Sequence, residues 1–126
     1  MLVRMETEIE RAFRLAQHLP GVEIAEWYGT LALKVAGKGF ARLREPGVLV
    51  VMCPLELKEL LMDAEPDRYF QTPHYHGYAS MLVRLAAIDD ERLKERLACA
   101  WREKAPRKLL KQLETGSPVL TPAAGP

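Results

Sequence analysis

The segment from Val22 to Met52 constrains the fold most, because it has the pattern of several short strands separated by tight turns. It is rich in Val, Leu, Ile and aromatic residues, and it breaks at Tyr28-Gly29, Gly37-Lys38-Gly39 and Pro46-Gly47. Apolar runs bounded by glycine and proline are typical of β-strands joined by hairpin turns. The pattern predicts an antiparallel meander of up to four strands.

The break at Gly37-Lys38-Gly39 also predicts a strand register. A three-residue loop with a left-handed glycine is a common hairpin solution, and it would pair Ala36 with Phe40, Lys34 with Arg42, and Ala32 with Arg44. Strand alternation then directs one set of side chains to the core: Leu31, Leu33, Val35, Ala41 and Leu43. The opposite face would carry Ala32, Lys34, Phe40, Arg42 and Arg44. A two-residue loop that places Leu33 opposite Arg42 would mix apolar and charged residues on both faces, so the three-residue loop is preferred.

Helices are expected before and after this meander. Residues Met5 to Ala16 have helical apolar spacing and end at Leu19-Pro20-Gly21. Pro54 opens a second helix, and its expected buried stripe is Leu57, Leu60, Leu61 and Ala64. Another strand is expected from Tyr78 to Leu85, a third helix from Asp89, and a short fourth helix from Pro106. The pattern predicts a single α+β domain over residues 1–114, followed by a flexible, proline-rich tail over residues 115–126.

Composition supports one globular domain. The 126 residues are 48% hydrophobic, which is enough for a single core. The longest apolar run, Val48 to Cys53, is far shorter than the roughly 20 residues of a membrane span. The acidic N-terminus does not resemble an export signal, so a cytoplasmic location is expected. Cys53 and Cys99 are not in a zinc-binding pattern and are expected to be free thiols.

Charge is unevenly distributed, although the net charge is only +1. Residues 30–52 carry four basic groups and one acidic group, and residues 101–114 carry five and two. This net charge argues against a dedicated nucleic-acid-binding domain, because such a domain usually has a plainly basic pI. Because the basic residues are concentrated in two segments, these segments are the candidate anion-binding regions.

No catalytic, metal or cofactor site is predicted. His74-Tyr75-His76-Gly77 concentrates the histidines, and in an extended chain His74 and His76 would project the same way. A third metal ligand is not evident, and neither is a carboxylate partner for acid–base chemistry. Neither Ser80 nor Ser117 lies in a nucleophile motif. We therefore expect no enzymatic activity.

The strand from Val48 to Cys53 is apolar on both alternations, so one side of it would lie on the outer face of the sheet. Cover for Leu49 and Val51 could come from a second copy, from a protein partner or from the chain itself. All three alternatives remain open from the sequence.

Several strings resemble the MmcQ/YjbR-like family over most of residues 1–114. These strings are Leu19-Pro20-Gly21, the run from Leu33 to Ala41, Pro73-His74-Tyr75-His76-Gly77-Tyr78, and Ala100-Trp101 followed by Ala105-Pro106-Arg107-Lys108. The resemblance implies a two-layer sandwich with helices on one face of an antiparallel sheet, similar to the secretion-chaperone-like architecture. It also implies DNA binding through a proposed double-wing arrangement.

The sequence thus predicts a weak DNA- or anion-binding face without sequence specificity, built on the central hairpin. Its candidate residues are Lys34, Lys38, Phe40, Arg42, Arg44 and Arg84, with the phenyl ring available for base stacking. A secondary basic segment comprises Arg107, Lys108 and Lys111. The competing interpretation is a solvated basic face without a ligand. The alternative function is a protein-interaction or homodimerising module that uses the apolar outer strand, with the chain otherwise a monomer or weak homodimer.

Overall fold

The computed structural model describes residues 5–115, which form four α-helices and six strands. The helices are α1 (Glu8–Ala16), α2 (Leu55–Ala64), α3 (Asp90–Lys104) and α4 (Arg107–Thr115). The strands are β1 (Val22–Trp27), β2 (Thr30–Val35), β3 (Lys38–Glu45), β4 (Val48–Met52), β5 (Tyr69–Phe70) and β6 (Ser80–Arg84). The predicted tail, residues 115–126, lies outside the described residues apart from Thr115, which ends α4.

The strands form one antiparallel sheet in the order β1-β2-β3-β4-β6-β5. The first four strands are the predicted meander, which is confirmed. Strand β6 returns to pair with β4, so that β4 lies inside the sheet with a neighbour on each side. A strand buried on both faces has a continuous apolar run, which explains the composition of Val48–Met52.

Helices α1 and α3 pack on one face of the sheet, and the main core lies between these two layers. Trp101 and Leu97 of α3 are fully buried in a cluster that includes Leu33 and Phe40 of the hairpin. The indole nitrogen of Trp101 donates a 3.0 Å hydrogen bond to the Pro20 carbonyl oxygen, so its polar group is also satisfied. The predicted two-layer α+β sandwich is confirmed.

Arg11 joins the two helices at one end of this layer. Its guanidinium donates to the carbonyl oxygens of Leu85 and Ile88 at 3.0 and 2.7 Å and to the Asp90 carboxylate at 2.8 Å. The Asp89 side chain accepts from the Arg92 amide and thereby caps α3. These bonds fix the start of α3 against α1.

The predicted β2–β3 register is wrong by two residues at Ala32 and Leu33 and, beyond a bulge, by three residues at Lys34 and Val35. The turn consists of Ala36 and Gly37, both with positive φ (50° and 79°), which is the two-residue hairpin turn whose twist matches the strands. As a result Lys34 pairs with Gly39, and Arg42 pairs with Ala32. Lys34 and Arg42 still lie on the same face, because Lys34 is two residues from Ala32 in β2 and Ala32 is the cross-strand partner of Arg42. They are not direct cross-strand partners.

Phe40 lies in the main core and not on the opposite face as predicted. The register changes between Leu33 and Lys34, which leaves Phe40 as an extra residue beside Ala41 in β3. A bulge of this kind lets two successive side chains leave the same side of the strand. Phe40 and Ala41 are both fully buried in the main core, so Phe40 cannot stack on a bound base.

The buried side of α2 differs from the predicted stripe. Lys58 is only 1% exposed, whereas Leu60 is 66% exposed and Ala64 is also exposed. Leu57 and Leu61 pack against the main core as predicted. The helix is rotated because the Lys58 ammonium group bonds to a neighbouring loop, a contact that apolar spacing does not encode.

The faces of β4 also differ from the prediction. Leu49 and Val51 face the helices in the main core, and Val50 points to the opposite side of the sheet. There Val50 is covered by Tyr75 and Leu82 of the same chain. Intrachain cover is thus sufficient for this strand.

Among residues 5–115, no helix combines the length and the apolarity that a bilayer crossing requires.

Candidate functional site

The side of the sheet opposite α1 and α3, here called the outer face, carries one charged side chain at its centre. A single row of paired residues crosses all six strands on this face: Ala25, Ala32, Arg42, Val50, Leu82 and Phe70. Arg42 is the only ionisable member of the row. The two residues next to it in the row on the β1 and β2 side, Ala25 and Ala32, are small.

A pocket of about 560 Å³ opens on the outer face around Arg42. Its floor comes from the sheet, through Val50, Met52 and Ser80. Its walls are aromatic and come from two separate segments: Trp27 and Tyr28 at the β1–β2 turn, and His74 and Tyr75 in the β5–β6 loop. The volume is within the range of about 300–1,000 Å³ that is typical of small-ligand sites.

The Arg42 side chain is held in place by groups from both walls. It donates to the Thr30 hydroxyl at 3.1 Å and to the Tyr75 hydroxyl at 3.2 Å. Its Cζ atom lies 5.6 Å from the centre of the Tyr28 ring, within cation–π range. None of these partners is a carboxylate, so the positive charge of Arg42 is oriented but not neutralised.

The β1–β2 turn shows backbone strain beside the pocket. Tyr28 has φ 54° and Gly29 has φ 78°, and Tyr28 is 79% exposed. A left-handed conformation costs a residue with a Cβ about 1–2 kcal/mol, and glycine or asparagine normally occupies this turn position. An exposed aromatic ring is therefore maintained here at a cost in stability.

Trp27 fixes the same wall by packing on a glycine. A Cβ atom at Gly39 would lie 2.3 Å from the Trp27 ring, so only glycine permits this contact. Gly39 therefore serves close packing, whereas the sequence interpretation assigned it to the turn.

Lys58 fixes the other wall. Its ammonium group donates to the carbonyl oxygens of Tyr75 and Tyr78 at 2.8 and 2.9 Å. Burial lowers the pKa of Lys58, because the charged form loses hydration. Through these two hydrogen bonds, α2 orders the loop that places His74 and Tyr75 in the pocket.

The structure brings four of the predicted cations to the outer face. These are Lys34, Arg42, Arg44 and Arg84. Lys34 has Glu23 as its partner in β1. Arg44 contacts the Tyr75 ring at 5.8 Å and pairs with Glu45 at 2.9 Å.

The Cζ atom of Arg84 lies 3.9 Å from the centre of the Phe70 ring, and its guanidinium donates to the Pro66 carbonyl oxygen. Within residues 5–115, Arg44 is the one outer-face cation in an ion pair. Four of the five predicted cations therefore share the outer face, although several of their donors are used locally.

Two predicted site residues are not on the outer face. Phe40 is in the core, as described above. Lys38 pairs with Val35, a residue directed to the helices, so the Lys38 side chain emerges on the helical side of the sheet. The bulge at Phe40 and the two-residue turn at Ala36 and Gly37 together account for the misplacement of Phe40 and Lys38.

The secondary basic segment lies on the opposite side of the molecule from the pocket. Arg107, Lys108 and Lys111 are exposed on α4, whose Leu109, Leu110 and Leu113 pack against the main core. These cations therefore belong to a different surface.

The histidine string forms a 3₁₀ turn at Pro73–Tyr75 and is not extended. The His74 ring packs edge-on against Tyr75 with ring centres 5.0 Å apart, and His76 Nδ1 lies 3.4 Å from the Gln71 side-chain nitrogen. Among the described residues, no group of three His, Cys, Asp or Glu side chains is arranged to hold a metal. The string instead builds one wall of the aromatic pocket.

A second depression, of about 710 Å³, lies along α3. Its lining mixes both signs of charge and includes Glu91, Glu95, Arg96, Arg102 and Cys99. It lacks the planar aromatic walls of the outer-face pocket, so it indicates no single ligand class.

Cys53 and Cys99 are free thiols, as predicted, and they interact with each other. The hydrogen bond from Cys53 lowers the pKa of Cys99, against the opposing effect of burial and with help from Arg96. The same hydrogen bond and burial raise the pKa of Cys53. This pair is on the helical side and does not reach the outer face.

Sequence reasoning missed four contributors to the site: Trp27, Tyr28, Lys58 and Tyr75. Tyr28 had a detectable signal, because Tyr-Gly at a hairpin turn places a residue with a Cβ where Asn-Gly is normal. Lys58 had none, since a single lysine on an amphipathic helix is ordinarily exposed.

Comparison with known proteins identifies the fold. The YjbR family model matches residues 17–103, well over half of the chain. The crystal structure of Deinococcus radiodurans protein DR2400, a DUF419 protein, is similar with a TM-score of 0.65 and 20% sequence identity. That similarity covers 90% of this chain and 92% of the other. At this identity, the structural likeness shows the fold alone.

Two curated relatives are uncharacterised proteins, Rv2570 of Mycobacterium tuberculosis and Mb2600 of Mycobacterium bovis. Each is 44% identical over 54 residues, and the match covers 43% of this chain and 42% of the relative. The chain thus spans less than half the length of these relatives in the match. Their descriptions assign no function, so the function has to be argued from the outer face. The family-model match and the shared fold confirm the resemblance inferred from the sequence strings, and the chain belongs to the YjbR family.

Proposed function

We propose that this protein binds nucleic acid on its outer face, weakly and without sequence specificity. The observation that carries the proposal is the position of Arg42, Arg44, Arg84 and Lys34 on the same face as an aromatic pocket. Cations neutralise phosphates, and exposed rings stack on bases, so the two features together suit a nucleic-acid strand.

The charge pattern supports weak binding. With three or four contributing cations, the affinity depends on few phosphates, and the dissociation constant should lie around 10⁻⁴–10⁻⁶ M at physiological salt, as for non-specific binding. The net charge of +1 gives little long-range attraction. Hydrogen bonds of Arg42 and Arg84 to neutral oxygens leave their charges available to phosphate.

The alternative, a protein-interaction or dimerising module built on the apolar outer strand, loses its motivation. That alternative depended on an uncovered apolar side of β4, whereas Val50 is covered by Tyr75 and Leu82. The outer face around the pocket is cationic and aromatic, which fits a strand of nucleic acid better than an apolar partner.

Two variants with the same change in net charge test the proposal. Lys34→Gln with Arg44→Gln removes two outer-face cations, and Arg107→Gln with Lys108→Gln removes two from α4. Fluorescence anisotropy of a labelled 20-nucleotide oligomer, measured between 25 and 200 mM NaCl, should show weaker binding and a shallower salt slope for the first variant alone. Each lost phosphate contact should reduce the slope by about 0.7–0.9. No binding by the wild type at 25 mM NaCl, or equal losses in both variants, would rule the proposal out.

A further inference from the structure

We infer that the outer-face pocket accepts an unpaired nucleobase from a single strand. This inference rests on the proposed function and adds the class of ligand. The pocket has two facing aromatic walls, one from Trp27 and Tyr28 and one from His74 and Tyr75, with Arg42 between them. A planar, polar-edged ring next to a phosphate matches this arrangement, because rings stack on the walls and the guanidinium attracts the phosphate.

The shape of the site separates single strands from duplexes. In a duplex the bases are paired and their faces are stacked, so a base ring cannot enter a protein pocket without base extrusion. A single strand has free π-faces, and stacking is tolerant of base identity. The pocket therefore adds affinity for single strands over the affinity that the surrounding cations give to any polyanion.

The pocket also offers polar groups to the edge of a base. Arg42 has five N–H donors. Its hydrogen bonds to Thr30 and Tyr75 use one donor on each terminal nitrogen, so further donors remain. The Ser80 side chain lies in the pocket lining, and none of the hydrogen bonds among residues 5–115 uses its hydroxyl. Both groups line the pocket, so they are available to donate to the edge of a bound base.

The strain at Tyr28 is an independent observation in favour of a ligand. This residue is 79% exposed and left-handed, so its ring contributes little to the core while its backbone is unfavourable. Folding alone would favour asparagine or glycine at this position. A ring kept at the pocket rim under these conditions is accounted for by contact with a ligand.

The experiment compares three ligands of equal length, with salt fixed at a low value. These are single-stranded oligo(dT)20, a 20-base-pair duplex, and a 20-unit strand of abasic deoxyribose phosphate. The proteins are the wild type and Tyr28→Asn, which removes the ring and relieves the backbone. Dissociation constants come from anisotropy, and quenching of Trp27 fluorescence reports on the pocket, since Trp101 is fully buried.

The wild type should bind oligo(dT)20 about tenfold more tightly than the abasic strand, and oligo(dT)20 should quench Trp27. Tyr28→Asn should lose most of this preference, and its affinity for the duplex and the abasic strand should fall much less. Equal affinity of the wild type for oligo(dT)20 and the abasic strand would overturn the base pocket and leave the polyanion face intact. Binding of free thymidine monophosphate as tight as that of oligo(dT)20 would overturn the assignment to a strand. If the wild type bound none of oligo(dT)20, the duplex and the abasic strand, the pocket and the proposed function would be overturned together.

Discussion

The Lys58 ammonium group donates a 2.8 Å hydrogen bond to the Tyr75 carbonyl oxygen, and this contact ties the pocket wall to a helix that is otherwise remote from it. The second bond of Lys58, to the Tyr78 carbonyl, closes the loop around one buried charge. Burying an ammonium group without a carboxylate partner is costly. The loop conformation is thus stabilised by these polar contacts as well as by the burial of Tyr75 against Val50 and Leu82.

Lys58→Met should destabilise the protein by about 2 kcal/mol at pH 7. The substitution removes a buried charge but leaves two carbonyl oxygens without their donor, and each buried unsatisfied group costs about 1–3 kcal/mol. Urea unfolding measures the change in the free energy of unfolding. The exposed Lys108→Met provides the control and should change stability by less than about 0.5 kcal/mol.

The stability difference between wild type and Lys58→Met should also depend on pH. Because the pKa of Lys58 is lowered in the folded state, the unfolded chain binds this proton more tightly. Wild-type stability therefore gains as pH rises through the lowered folded-state pKa toward the ordinary lysine value of about 10.4. Lys58→Met lacks this gain. The free energies of unfolding of both proteins are measured from pH 7 to 10. A constant difference between them over this range would contradict this assignment.

The fold was predictable from the sequence because its signals are local. Glycine turns and apolar alternation over Val22–Met52 predict the meander, and helical spacing predicts α1 and α3. Part of the outer face was also predictable, since strand alternation keeps Lys34 on the side of Ala32, the partner of Arg42. The family resemblance added the order of the layers.

The details of the site were not predictable, for physical reasons that involve distant residues. The Phe40 bulge depends on the turn at Ala36-Gly37 and on which ring fills the core under α3. The pocket depends on Trp27 lying on Gly39 and on Lys58 reaching a loop 17 residues away. Neither contact leaves a periodic signal in the sequence.

Ala36→Asn should stabilise the protein by about 0.5–1 kcal/mol. Ala36 has φ 50°, and asparagine tolerates the left-handed region better than alanine, while Asn-Gly is the preferred pair for this two-residue turn. The melting temperature should rise by about 2–5 °C. Ala36→Val, which is β-branched and poorly suited to positive φ, should lower it. If both variants lowered the melting temperature, the turn conformation described here would be incorrect.

Gly39→Ala should destabilise the protein more than Gly37→Ala. A Cβ at Gly39 would meet the Trp27 ring at 2.3 Å, whereas at Gly37 nothing lies within 4 Å and only the positive φ is unfavourable. Overpacking costs about 1–3 kcal/mol, and a positive φ about 1 kcal/mol. Chemical denaturation of the two variants gives the comparison.

A double-mutant cycle with Trp27→Leu identifies the cause of the Gly39→Ala effect. If the ring is responsible, Gly39→Ala should cost much less when Trp27 is already leucine, with a coupling energy of about 1–2 kcal/mol. Additive effects would show that the two residues do not touch.

Arg11→Lys should destabilise the protein by about 2 kcal/mol, more than Arg14→Lys. The Arg11 guanidinium holds two carbonyl oxygens, of Leu85 and Ile88, together with the Asp90 carboxylate, and a lysine ammonium cannot reproduce this planar fork. Arg14 is more exposed and bonds only to the carboxylates of Glu6 and Asp90, where surface ion pairs contribute about 0–1 kcal/mol.

The acid limb of the stability curve gives a second test of the Arg11 contacts. Hydrogen bonds from Arg11 and then Arg14 lower the pKa of Asp90 in the folded state, against some desolvation. The contribution of Asp90 to the free energy of unfolding is therefore fully present above the ordinary pKa of about 3.9, and it is lost as pH falls through the lowered pKa. Arg11→Lys should therefore flatten the fall in stability below pH 4. Urea midpoints measured from pH 2.5 to 6 should converge at low pH for wild type and Asp90→Asn. An Arg11→Lys variant as stable as the wild type at pH 6 would show that the carbonyl contacts do not hold α1 to the start of α3.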